Sequence, residues 1–146
     1  MIAPMIITGT GVADRGVIDS SYSTVMDLAP TFLEIAGAGY PDDEGLMPIL
    51  GESMTDFLAG KSEAIHDDEY VTILSHRGRS LVRQGRWKIV TTNGPFNESN
   101  FELFDVVADP GETNNLAETE PEVFAGLLEI WRTGRKELGI ILPEDL

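Results

Sequence analysis

The stretch Phe101 to Ala117, FELFDVVADPGETNNLA, constrains the fold of this chain more than any other. Alternation puts Phe101, Leu103 and the base of Asp105 on one side and Glu102 and Phe104 on the other, as in a strand covered on at least one face. The strand is expected to end at Val106 or Val107. Asp109, Pro110 and Gly111 then arrive together: proline presets φ, aspartate bonds the backbone ahead of it, and glycine accepts φ > 0, so the chain must turn. Upstream, Leu81 to Val90 reads as two β runs joined at Gln84-Gly85, with Trp87, Ile89, Leu81 and Arg83 in period-two positions. Val71-Thr72-Ile73-Leu74 enters the same sheet, and Asn93-Gly94-Pro95 marks a turn inside it. An antiparallel sheet follows, with Trp87 as a core anchor.

A helix comes next. Thr119-Glu120-Pro121-Glu122 fits a capping box, Thr119 at the N-cap and Glu122 at N3, with Pro121 tolerated in the first turn. Val123, Leu127, Trp131 and Leu138, joined by Phe124, Leu128 and Ile130, form an apolar stripe that should cover one face of the sheet. Acidic residues gather at its start, Arg132, Arg135 and Lys136 near its end, and Gly139 stops it.

The order VRQGRWKIV, ELFDVVADPGETNNLA, EPEVFAGLLEIW, preceded by APMIITGTGV and STVMDLAPTFLEIAGA, resembles the C-terminal portion of the type I sulfatases, the arylsulfatase-like branch of the alkaline phosphatase superfamily. The resemblance covers nearly all of Met1 to Gly134 and is weakest between Tyr40 and Tyr70. It departs at Ile2, where the family usually places arginine two residues before Pro4, so the chain is expected to begin inside a family motif. The resemblance implies an α/β architecture, an α+β fragment: one βα unit of a large sheet, followed by a small antiparallel sheet packed against a long C-terminal helix. Residues 1–66 would be the last strand-helix unit of the catalytic domain with a connecting loop, and 67–146 the C-terminal subdomain.

The family hydrolyses sulfate esters with a formylglycine made within Cys/Ser-x-Pro-x-Arg, beside a divalent cation, Ca²⁺ or Mg²⁺. No serine here is followed by x-Pro-x-Arg and there is no cysteine, so the class transfers and the active site does not. No cofactor and no metal is expected in this chain itself. The implied role is structural, shaping the rim of the substrate cleft. The implied partner is the missing N-terminal catalytic part, with a homo-oligomer as a further possibility. A phosphonate or phosphate monoester hydrolase of the same superfamily, and a free-standing oligomerising interaction module, stand as alternatives.

In the N-terminal part, Pro4-Met5-Ile6-Ile7 has the look of a strand buried on both faces. Asp27 reads as the N-cap of a helix from Leu28, not as a metal ligand, with Leu28, Phe32, Ile35 and Ala36 as its apolar stripe. Gly37 or Gly39 should end it. Tyr40 to His66 is turn-rich, with a short helical run from Ser53 carrying Met54, Phe57 and Leu58. Asp42-Asp43 and Asp67-Asp68 lack the spacing of a calcium loop and read as solvated charges. His66 and His76 are the only histidines; no fixed spacing makes them a zinc pair, and no Gly-x-Ser-x-Gly elbow is present for a triad. His76-Arg77, before Gly78, are the substrate-rim candidates, where arginine would bind a sulfate through its planar fork. Asn97-Glu98-Ser99 reads as a chance sequon.

With 146 residues and 42% apolar composition the chain is long enough for a folded core. Its 25 acidic residues against 10 basic give a net charge of −15, which argues against nucleic acid, against anionic membrane surfaces and against a sulfate-binding surface on this piece by itself. No signal-peptide pattern or spanning segment is read, and the compartment stays open between bacterial cytoplasm and periplasm.

Overall fold

The computed structural model describes residues 3–13, 16–41 and 45–142. Contacts divide the chain into two compact units, 1–67 and 68–146.

The second unit is built on the strands β1 (Val71–His76), β2 (Arg79–Gln84), β3 (Trp87–Val90) and β4 (Glu102–Asp105), in the order β1-β2-β3-β4, each neighbour antiparallel. Register aligns Ile73, Val82, Ile89 and Leu103 across the sheet. Val82, Ile89 and Leu103 are completely buried. They form a core with Phe96, Phe101, Leu127, Trp131 and Leu142. Trp87 packs at the edge of that core with the Arg86 guanidinium 5.7 Å from its ring. Leu81 and Arg83 lie on the opposite face, paired with Val90 and Lys88, because the pairing of Gln84 with Trp87 puts Val82 rather than Leu81 beside Ile89.

Helix α3 (Pro121–Glu137) covers the core face. Its cap differs from the sequence expectation. Glu120, not Thr119, is the N-cap, and no side chain bonds the first turn. The Thr119 hydroxyl donates to Leu116 O instead, so the fixed φ of Pro121 starts the helix without a capping box. Its end is as expected: Gly139 N–H donates to Lys136 O and Ile140 N–H to Arg135 O, the paired bonds of a Schellman stop.

β4 ends at Asp105, one or two residues earlier than alternation suggested, because its carboxylate accepts Val107 and Ala108 N–H and begins the turn. Asp109 holds the next turn, accepting Thr113 and Asn114 N–H at 2.6 and 2.9 Å. The amide of Asn114, above all, keeps its carboxyl below the usual range. Asn97 caps a 3-10 turn at Glu98–Asn100, its oxygen accepting Ser99 N–H at 3.0 Å.

In the first unit, helix α1 spans Leu28–Ile35 and the short α2 spans Thr55–Leu58. Residues 4–7 form no strand among the described residues, and Ile6 is 93% exposed. A doubly buried strand needs ladder partners on its edges, and the only described sheet is the four-stranded one of the second unit. Asp42 and Asp43 lie outside the described residues.

Arg86 joins the β2–β3 turn to the end of β4 by pairing with Asp105, and that hydrogen bond is the main reason the Asp105 carboxyl is held below its ordinary value. A carboxyl lowered on folding contributes stability that is full above its unfolded pKa, about 4, and is lost as pH falls through the folded value. Asp105→Asn is therefore expected to lower urea stability at pH 7, followed by tryptophan fluorescence, with the gap to wild type closing below about pH 4. An equal gap at pH 7 and pH 3 would refute this role.

Candidate functional site

Two places gather chemistry-bearing side chains, one in each unit. In the first unit the chain enters α1 through a 3-10 turn, Val25–Asp27. Asp27 stands at the N-cap position of α1 as expected, but its side chain makes no capping bond to that helix. Thr24 caps the 3-10 turn instead: its side chain accepts Met26 N–H while the Asp27 carboxylate reaches back to Thr24 N–H, a capping box. Asp27 is fully buried, and its other oxygen accepts Glu52 N–H at 3.0 Å. His66, its side chain 3% exposed, places Nε2 3.0 Å from Asp27 Oδ2 and Nδ1 3.0 Å from Glu52 Oε2. Tyr22 lies against the imidazole with ring centroids 5.9 Å apart. Thr31 extends the knot: its hydroxyl donates to Asp27 O and accepts Met54 N–H at 2.9 Å. The Glu34 carboxyl, held below its usual range by the Ser53 and then the Thr55 hydroxyl, faces the same loop.

This knot needs the loop backbone to come very close to the helix start. A Cβ on Gly51 would lie 2.3 Å from the Met26 carbonyl, so only glycine lets Glu52 N–H reach Asp27. The consequence for α1 is an inversion. Its polar residues Asp27 and Thr31 are buried, whereas Phe32 is 63% and Ile35 69% exposed, the reverse of the apolar stripe expected to face inward.

In the second unit β1 and β2 meet at a two-residue turn, Arg77-Gly78, closed by the pair His76 and Arg79. Both turn residues have positive φ, 51° and 75°, which matches the strand twist in a tight hairpin. Gly78 accepts this freely and Arg77 does not. His76, Arg77 and Arg79 are exposed. The hairpin is bordered by two hollows. One, about 350 Å³, is lined by Leu74, His76, Arg79, Leu81, Val90 and Thr92 among others. The other, about 470 Å³, lies between Ser75–Gly78 and the segment Leu138–Leu142 that follows α3.

The structure thus brings the expected rim residues His76 and Arg77 together at the hairpin tip, where both border the second hollow. It adds Arg79, which periodicity alone did not single out. It also joins His66 to Asp27 across 39 residues, a pairing no local spacing signals. Asp67 and Asp68 are exposed. Among the described residues no group of three or more His, Asp or Glu side chains is placed to hold a metal ion.

A family model described as N-sulphoglucosamine sulphohydrolase, C-terminal, matches residues 1–129. The chain is 29% identical to an uncharacterized sulfatase of Schizosaccharomyces pombe over 97% of its length and 26% of the relative's. It is 32% identical to an N-acetylglucosamine-6-O-sulfatase of Bacteroides thetaiotaomicron over 77% of its length and 21% of that protein's. Among solved structures, a putative sulfatase from Bacteroides thetaiotaomicron superposes with TM-score 0.53 at 26% identity over 76% of this chain and 24% of that one. Ps i-CgsB in complex with k-i-k-neocarrahexaose gives TM-score 0.59 at 20% identity, over 78% of this chain and 24% of that one, a likeness of fold. The chain spans about a quarter of the length of the curated relatives it matches.

The cation and formylglycine implied by the resemblance do not fit the residues present. The chain has neither cysteine nor a serine followed by x-Pro-x-Arg, and the Asp27 oxygens are committed to two backbone amides and His66. Removing the Asp27 carboxylate would strand those buried donors. Asp27→Ala is expected to cost about 3 kcal/mol or more of local stability, read as faster amide hydrogen exchange across Leu28–Ile35 and at Met54. Gly51→Ala should act the same way. Unchanged exchange in both variants would remove the knot from its organising role. With the match extending over residues 1–129, the chain belongs to the C-terminal sulfatase family described as N-sulphoglucosamine sulphohydrolase, C-terminal.

Proposed function

We propose that this chain is the C-terminal part of a sulfuric ester hydrolase, that it supports the catalytic part of the same protein, and that it has no hydrolase activity alone. The observation that carries the reading is the inverted helix α1. A helix in water turns its apolar side inward unless something else covers it. Here Val25, Phe32 and Ile35 face outward, with Ile6, Ile18, Leu46 and Met47 exposed in the same unit. Docking onto the remaining three quarters of a sulfatase would cover them, and residues 4–7 would gain the ladder partners they lack as a strand of its sheet. The cation and the formylglycine then belong to that other part. The names of the relatives support sulfate-bearing sugars as the substrate class.

Within the whole protein, His76 and Arg77 at the hairpin tip form part of the cleft rim, Arg77 binding a substrate sulfate through its guanidinium fork.

Two measurements test this. The 146-residue chain is expected to hydrolyse 4-nitrophenyl sulfate no faster than buffer, whereas a reading frame extended upstream through a Cys/Ser-x-Pro-x-Arg run should turn it over in preference to 4-nitrophenyl phosphate. Turnover by the short chain, or a phosphate preference in the long one, overturns the assignment. In the long protein Arg77→Ala should raise KM roughly tenfold. Unchanged KM and kcat would take Arg77 off the rim.

A further inference from the structure

We infer that the open face of the sheet beside the β1–β2 hairpin is a binding site for a small organic monoanion, a ring-shaped body carrying one sulfate or carboxylate head, with Arg79 as its anion-binding residue. This deepens the rim reading of the hairpin and rests on it, adding Arg79, the cross-strand partner of His76, to the rim pair His76 and Arg77.

The register fixes the arrangement. His76 pairs with Arg79, Leu74 with Leu81, and Leu81 with Val90, so side chains of one face form successive rows. The row nearest the turn is polar and cationic; the next, Leu74, Leu81 and Val90, is aliphatic. Leu74 is 49% exposed although it stands in the middle of a strand. These residues line the hollow of about 350 Å³, which is within the range of small-ligand sites. A cationic end and an aliphatic floor side by side suit a ligand built the same way: an anionic head for the guanidinium fork, a ring for the floor.

Charge points in the same direction. The chain carries −15 overall, yet five of its ten basic residues, Arg77, Arg79, Arg83, Arg86 and Lys88, fall within twelve positions of this sheet. Arg86 is paired with Asp105 and Lys88 with Glu112, and Arg83 donates to Gly85 O. The Arg79 side chain, at the mouth of the hollow, makes no hydrogen bond or ion pair among the described residues. An exposed arginine without an ion-pair partner beside an apolar hollow in a strongly acidic chain is a local exception to the expectation that this surface repels anions.

The test uses the 146-residue chain and backbone amide NMR titration with 4-nitrophenyl sulfate, 4-nitrobenzoate, inorganic sulfate and 4-nitrobenzyl alcohol. One of the two aromatic anions should shift Leu74, Arg79, Leu81 and Val90 saturably, and whichever binds more tightly identifies the head. Inorganic sulfate and the uncharged alcohol should each bind at least about tenfold more weakly, since each lacks one half of the ligand. Arg79→Ala should weaken the aromatic anion about tenfold, and Leu81→Thr, which keeps a strand-forming residue but shortens the floor, several-fold. The inference falls if neither anion gives saturable shifts by about 10 mM, if inorganic sulfate binds as well as they do, or if Arg79→Ala binds unchanged. Binding here is independent of turnover in the longer protein, so failure of this site and failure of the sulfatase assignment give different results.

Discussion

The burial of Val82, Ile89 and Leu103 beneath Trp131 is the constraint on which the second unit depends. All four are completely buried, and Trp131 lies within 6 Å of the Phe96 and Phe101 ring centroids. A strand has a side-chain period of two, so slipping any of these pairings by one residue would turn its buried aliphatic outward. Each such loss is worth about 1.5–3 kcal/mol in transfer free energy alone. The core therefore fixes the register, and the register places His76, Arg79, Leu74, Leu81 and Val90 together on the other face. The surface arrangement is a by-product of packing on the side away from it.

The first unit is organised on the opposite principle. Its most buried group is a carboxylate, and what it excludes from the inside is aliphatic and aromatic. A buried carboxylate is tolerable only when hydrogen bonded, and Asp27 has two backbone amides as well as the His66 ring. Those bonds tie the start of α1, the loop at Glu52 and the residue His66, with little apolar burial beyond Met54. Such a unit holds its shape locally while presenting Phe32 and Ile35 outward. That combination suits a segment whose main hydrophobic contact is made elsewhere.

Much of the second unit was legible in the sequence because its signals are local. Alternation gave β1 to β4, Asp109-Pro110-Gly111 gave the turn, and Leu127 and Trp131 gave the buried side of α3. The start of α1 at Leu28 was legible too, but not which of its faces turns inward, because that depends on loop amides at Glu52 and Met54 seeking Asp27 and Thr31. Thr119 failed as a cap for a similar reason: Leu116 O competed for its hydroxyl. The hairpin at Arg77-Gly78 lacked the Asn-Gly or Asp-Gly signature of such turns, so the register that selects Arg79 and Leu81 for the open face had no cue in the sequence.

That missing signature has a cost in the backbone. A non-glycine residue in the left-handed region costs on the order of 1 kcal/mol, and asparagine or aspartate tolerate it better than arginine. Arg77 sits there at φ 51° on an exposed turn, where no packing requires a long side chain. An acidic chain has no shortage of aspartate for such a position. Backbone strain of this kind persists where the surrounding structure over-determines it, and here the closing pair His76 and Arg79 and the rigid strands behind it do so. Aspartate at position 77 would relieve the turn but place a negative charge beside the Arg79 guanidinium.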